Sequence, residues 1–178
     1  LVGAGDVAAQ TRQVIANLQN LMVLAIAGSM RGQASPELGG GGQPASLLIV
    51  PLFHTTGCHA TMIPAFGSGS KLVLMPPGRF DPEFAMKMVQ DEAVTSMGGV
   101  PTIVARIVNH PERENYDLSS VTRISYGGAP GAPELAMRIA EAFPRAKAGL
   151  TQAYGLTESA SVATVNAGED YLTHPTSA

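Results

Sequence analysis

Short apolar runs and helical stripes alternate five times along this chain, and that order limits the fold more than any other feature. The runs are "LLIVPLF" (47–53), "KLVLMP" (71–76), "VTSMGG" (94–99), "VTRISYGG" (121–128) and "KAGLTQAYG" (147–155), with "SVATVN" (161–166) as a further strand. Between them lie segments with helical spacing. "DPEFAMKMVQDE" (81–92) opens with an Asp cap and a proline at the first helical position. "PTIVARIVNHP" (101–111) carries a stripe at Ile103, Ile107 and Val108, and "APELAMRIAEAF" (132–143) is entered through proline. "TTGCHATMIPAFGSG" (55–69) reads as a helix with a glycine stop, and 7–27 as a helix with apolar residues at Val14, Ile15, Leu18, Leu21 and Met22. Alternation of this kind predicts an α/β fold, a mostly parallel sheet flanked by helices on both faces in a layered αβα arrangement. The stretch 28–46, rich in Gly, Ser and Pro, reads as a flexible connector. Its four glycines at 39–42 lack the Lys-Ser/Thr end of a phosphate loop.

Composition narrows the function classes. Of 178 residues only 14% are charged, against roughly a quarter in an average domain, so much of the surface is expected to be covered. The net charge of −3 and the absence of a basic run argue against nucleic acid as a partner. The longest apolar stretch, "LMVLAIAG" (21–28), is too short to span a bilayer. No signal peptide is expected from "LVGAGDVAAQ", and a lone Cys58 fits a reducing, cytoplasmic compartment. A chain that starts at Leu1 is expected to be a piece of a longer polypeptide.

In open α/β sheets the ligand crevice lies beyond the carboxyl ends of the strands. Four strand exits carry chemistry: "PLFHTTG", "MGGVPT", "SYGGAPG" and "QAYGLTE". Gly127 and Gly128 allow backbone to approach a flat ligand, and Pro130 stiffens the turn; read alone, this is an ordinary strand-to-helix turn. Tyr154 offers a ring for stacking on a base. Thr157 offers a hydroxyl for a phosphate oxygen, and Glu158 a carboxylate for Mg²⁺. By themselves these three fit a half-buried ring and a solvated glutamate in a loop better than a ligand site. Phe53 and His54 are expected at the end of a buried strand, where a single histidine is more often structural than catalytic. The four histidines have no zinc-ligand spacing, and the methionines read as core filler.

The order and separation of these segments resemble the central part of the large N-terminal domain of the AMP-forming acyl-CoA synthetases, adenylate-forming enzymes that include 4-coumarate ligases, firefly luciferase and fatty-acid–CoA ligases. The resemblance covers roughly residues 12–178, with "GGAP" followed by "YGLTE" as its most specific pair. It implies activation of a carboxylic acid, a fatty acid in the first instance, by ATP and Mg²⁺ to acyl-AMP, then transfer to coenzyme A. It implies that Gly127, Gly128, Ala129, Pro130 and Gly155 line the nucleotide pocket and that Tyr154 stacks on adenine. Thr157 would contact the α-phosphate, Glu158 would bind Mg²⁺, and His54 would orient the acyl carboxylate or gate the pocket. Gly99, Val100 and Thr102 would shape the acyl tunnel. Two departures stand out. The phosphate-loop lysine is absent, with Gly5 near its place in "LVGAGD", and Ala153 stands where glycine is common. On this reading the chain is a partial AMP-binding domain, 1–178, without the C-terminal domain that carries the catalytic lysine. A non-catalytic nucleotide- or acyl-binding module, and a plain α/β interaction domain, remain open beside it.

Overall fold

The computed structural model describes residues 7–16, 19, 43–159 and 161–176. Residues 7–16 are helical and mostly exposed, as the first stripe predicts; most of the remainder of the expected 7–27 helix, and positions 28–42 of the expected connector, lie outside the described residues. The connector ends earlier than 46, because Ala45 and Ser46 already belong to a strand.

Six strands form one sheet in the order β2-β1-β3-β4-β5-β6. They are β1 (Ala45–Leu48), β2 (Lys71–Leu74), β3 (Ser96–Gly99), β4 (Arg123–Gly127), β5 (Leu150–Leu156) and β6 (Ser161–Ala167). The first five run parallel and β6 is antiparallel to β5. The helices are α1 (Thr55–Gly57, continued through a π turn at Cys58–Met62 into Ile63–Gly67), α2 (Pro82–Asp91), α3 (Pro101–Val108), α4 (Pro133–Ala142) and α5 (Gly168–Thr173).

Each long helix starts where its sequence dictates. In α2 the Asp81 carboxylate accepts from Glu83 N at 3.0 Å and Phe84 N at 3.3 Å, and Pro82 occupies a position whose N–H would be unpaired. Pro101 and Pro133 play the same part in α3 and α4. The buried stripes are Ala85, Met86 and Val89 in α2, Val104, Ile107 and Val108 in α3, and Leu135, Ala136 and Ile139 in α4. α2 packs on α3 and α3 on α4, forming one layer. Beneath them lie Leu47, Met97, Ile124, Tyr126 and Leu150 from the sheet. Side chains as completely buried as Ile124, Ile139 and Leu150 each contribute about 1.5–3 kcal/mol.

The path of the chain sets the layers. It steps outward from β1 to β2 and then back across the sheet to β3, β4 and β5. Right-handed crossovers therefore place α1 on the face opposite α2–α4. There α1 touches β1, β2 and β6. In β4, Ile124 and Tyr126 are buried under the helix layer while Arg123 and Ser125 are exposed on the other side.

The expected boundaries need four corrections. The run 47–53 is not one long strand: β1 ends at Leu48, and Pro51, which has no N–H for a central ladder, sits in a turn closed by His54 N donating to Pro51 O at 3.0 Å. Phe53 and His54 are thus in an exposed turn rather than at a buried strand end. Residues 147–149 belong to a 3₁₀ turn, Pro144–Gly149, because the proline starts a turn and Ala146 fills the core beneath it. The helix at 101–111 ends at Val108, with Asn109 as its C-cap. Finally, α5 (Gly168–Thr173) has no counterpart among the expected elements.

Candidate functional site

The carboxyl ends of β3, β4 and β5 meet along one edge of the sheet. Gly99 is in register with Tyr126, and Gly127 with Ala153. A Cβ placed on Gly128 would touch Val100 Cγ1 at 3.7 Å, so the residues that follow β3 and β4 are neighbours. Gly128 has φ +77, a left-handed conformation that a side chain there would strain; it turns the chain out of the sheet. Gly128, Ala129 and Pro130 are exposed in the resulting loop, and Thr102 is exposed in the first turn of α3.

Tyr154 follows Ala153 on the next strand. Alternation puts it on the same face as Leu150 and Gln152, yet it is 52% exposed because it lies past the helix layer. Its neighbour Gly155 has a packing reason of its own. A Cβ there would lie 1.5 Å from Ser161 O and 2.9 Å from Val162 Cα, so β6 approaches too closely for any side chain. At this point β6 carries one residue more than β5: Tyr154 pairs with Thr164, but Gly155 pairs with Val162, leaving Ala163 extra. Ser161 completes the distortion with φ +112.

Thr157 and Glu158 stand exposed in a single 3₁₀ turn, Thr157–Ser159. Ser159, which the sequence did not single out, pins that turn. Its hydroxyl accepts from Leu156 N at 3.0 Å and lies within donating distance of Leu156 O at 3.0 Å and Ser161 O at 3.2 Å. His54 is placed otherwise. It caps α1, with Nδ1 accepting from Thr56 N at 3.1 Å, which leaves Nε2 as its other hydrogen-bonding atom. The turn that holds His54 follows the carboxyl end of β1, which runs parallel to β3, β4 and β5, so His54 lies at the same edge of the sheet.

The structure thus assembles Gly99, Val100, Gly127, Gly128, Ala153 and Tyr154 at one edge, with Thr157 and Glu158 just beyond it. Among the described residues no group of three or more His, Cys, Asp or Glu side chains is arranged to hold a metal. Glu158 alone fits only a Mg²⁺ that draws its remaining ligands from phosphate oxygens and water. A concavity of about 270 Å³ lies elsewhere, beyond β1 and β2, lined by residues such as Ile49, Met75, Phe80 and Phe84. It opens past the carboxyl ends of β1 and β2, on the same edge of the sheet as the glycine loop but on the other side of β3.

The profile of the family described as "AMP-binding enzyme" matches residues 7–177. The chain belongs to that family. Among curated relatives of this AMP-binding domain, 4-coumarate–CoA ligase 4 of Arabidopsis thaliana is 34% identical over 142 residues, 80% of this chain and 24% of that protein. A long-chain-fatty-acid–CoA ligase of Bacillus subtilis is 34% identical over 119 residues, 66% of this chain and 20% of that protein. The chain thus spans about a quarter of the length of the curated relatives it matches. Among solved structures, the amide bond synthetase McbA of Marinactinospora thermotolerans superposes with a TM-score of 0.61 at 27% identity, covering 82% of this chain and 28% of that one. The N-terminal domain of FACL13 from Mycobacterium tuberculosis gives 0.64 at 28% identity, covering 74% and 32%. The layered α/β architecture expected from the sequence is therefore that of adenylate-forming enzymes. Among the described residues no helix is long and apolar enough to cross a membrane.

Proposed function

We propose that this AMP-binding domain contributes the adenine and acyl side of a site that activates a carboxylic acid with ATP and passes it to coenzyme A, a fatty acid being the first candidate substrate. The observation that carries this reading is the meeting of three strand exits, where a half-exposed Tyr154 follows the residue paired with Gly127. A flat base could stack on the ring beside a loop whose paired glycines leave the backbone open, and stacking of this kind contributes about 1–3 kcal/mol. Gly127, Gly128, Ala129, Pro130 and Gly155 line the nucleotide side. Gly99, Val100 and Thr102 line the acyl side, and His54 orients the carboxylate through Nε2. Thr157 donates to an α-phosphate oxygen as negative charge gathers there in the transition state. Glu158 would hold Mg²⁺, which supplies charge neutralisation on the phosphates when bound.

Assay of the full-length polypeptide with a panel of carboxylic acids, ATP, Mg²⁺ and coenzyme A tests the activity. Acyl-CoA formation from a long-chain acid is expected; activity confined to aromatic acids would reassign the substrate. Tyr154→Ala should weaken AMP binding about tenfold or more, and equal affinity by calorimetry would remove the stacking role. The 178-residue chain by itself should give no acid-dependent ATP–pyrophosphate exchange. The second reading, a nucleotide-binding module without catalysis, would be favoured if the full-length polypeptide also lacks the phosphate-loop lysine, near whose place Gly5 stands. A full-length polypeptide that binds AMP but catalyses no exchange would establish it.

A further inference from the structure

The loop that leaves β4 rests on a buried pair of tyrosines that none of the roles above uses. Tyr126 is the residue before Gly127, 1% exposed, and Tyr171 of α5 is 0% exposed. Their hydroxyls hydrogen-bond to each other across 45 residues of sequence. Their rings meet edge to face, with centroids 6.0 Å apart and planes at 68°. The loop then folds back over this ring: a Cβ on Gly131 would lie 2.7 Å from Tyr126 Cε2. Gly127–Gly131 is therefore an arch whose two ends are fixed to one phenol, and that phenol is fixed from behind by α5.

The polarity of the pair needs a reason beyond packing. Two phenylalanines would fill the same space without burying hydroxyls, and buried polar groups cost free energy unless fully partnered. Next in register to Tyr126 is Gln152, whose Oε1 is buried and has no hydrogen-bond partner. Burial keeps the Tyr126 phenol protonated far above its ordinary range, so the contact holds throughout neutral pH. A directional bond fixes where the Tyr126 ring stops, which apolar contact does less sharply.

We propose that the Tyr126–Tyr171 hydroxyl bond is a latch that sets the position of the Gly127–Gly131 arch, making Tyr171 a positioning residue for nucleotide binding. This rests on the reading that the arch lines the nucleotide site. The test measures AMP affinity of the full-length protein by titration calorimetry, well below the melting temperature, with thermal melting in parallel. Tyr171→Phe should weaken AMP binding about three- to tenfold, and Tyr126→Phe should do the same. Gly131→Ala, which keeps both hydroxyls but presses a methyl on the ring, should also weaken it. If Tyr171→Phe does not fold, Tyr126→Phe, which removes the same hydroxyl bond, decides the matter. A purely structural pair would lower the melting temperature and leave AMP affinity unchanged in all three variants, and that result overturns the latch. Tyr154→Ala serves as the control. If it weakens AMP binding while the three variants do not, the latch alone is wrong; if none of the four changes affinity, the nucleotide-site reading fails and takes the latch with it.

Discussion

Gly155→Ala is the substitution for which the geometry gives the sharpest expectation. The added methyl would start 1.5 Å from Ser161 O, 2.5 Å from Ser161 C and 2.9 Å from Val162 Cα, all backbone atoms that no rotamer change can move aside. To reach the 3.0 Å below which Cβ contacts are essentially never found, the Ser161 carbonyl must retreat by about 1.5 Å. That movement breaks the pairing of Gly155 with Val162 and of Leu156 with Ser161, and it pulls Ser161 O away from the Ser159 hydroxyl. Overpacking of this severity sits at the upper end of the usual range, about 3 kcal/mol. For a chain of this size each kcal/mol lowers the melting temperature by about 2–4 °C, so a drop of about 6–12 °C is expected. Circular dichroism melts of wild type and variant at equal concentration measure it directly. Because Thr157 and Glu158 hang from the same turn, AMP titration of the variant should also show weaker binding. A variant melting within about 1 °C of wild type would refute the close approach of β6 to Gly155, and with it the account of why glycine follows Tyr154.

Three further outcomes are expected. Tyr126→Phe or Tyr171→Phe alone should cost about 1–3 kcal/mol by leaving one buried hydroxyl unpartnered, and the double variant should cost clearly less than the sum; additive urea midpoints would show that the hydroxyls are not bonded. Asp81→Ala should cost about 1 kcal/mol by uncapping α2, read as a melting shift of about 2–4 °C, and no shift would mean that the cap contributes nothing. The hydrogen bonds from the Ser119 side chain and backbone hold the Asp117 carboxyl below its ordinary value of 3.8. Since the folded value is the lower one, its contribution to stability is present above pH 3.8 and is lost as pH falls through the folded value; an NMR titration midpoint at or above 3.8 contradicts this.

What the sequence disclosed, and what it hid, follows from the range of each interaction. Helices α2, α3 and α4 were legible because a cap or a first-turn proline and a 3.6-residue stripe are local signals, and the parallel sheet followed from alternation. The strand exits were legible as a group by topology, before any one of them was convincing alone. The run 47–53 misled because apolar character continues past Pro51, whereas pairing does not. Residues 147–149 misled because a 3₁₀ turn buries Ala146 much as a strand would. α5 is too short and polar to show a stripe. The tyrosine pair was invisible because nothing local links positions 45 residues apart. The motif around Gly155 points to the ligand side alone, and the strand pressing on it from behind leaves no local trace.

The unmatched Ala163 also has a consequence for length. Residues directly opposite each other in an antiparallel pair share a face, so removing Ala163 would restore one-to-one pairing while Gly155 stays opposite Val162 and the buried Ser161 stays opposite Leu156. A return strand one residue shorter at this point should therefore keep its partners and lose only the bend that the extra residue puts into β6.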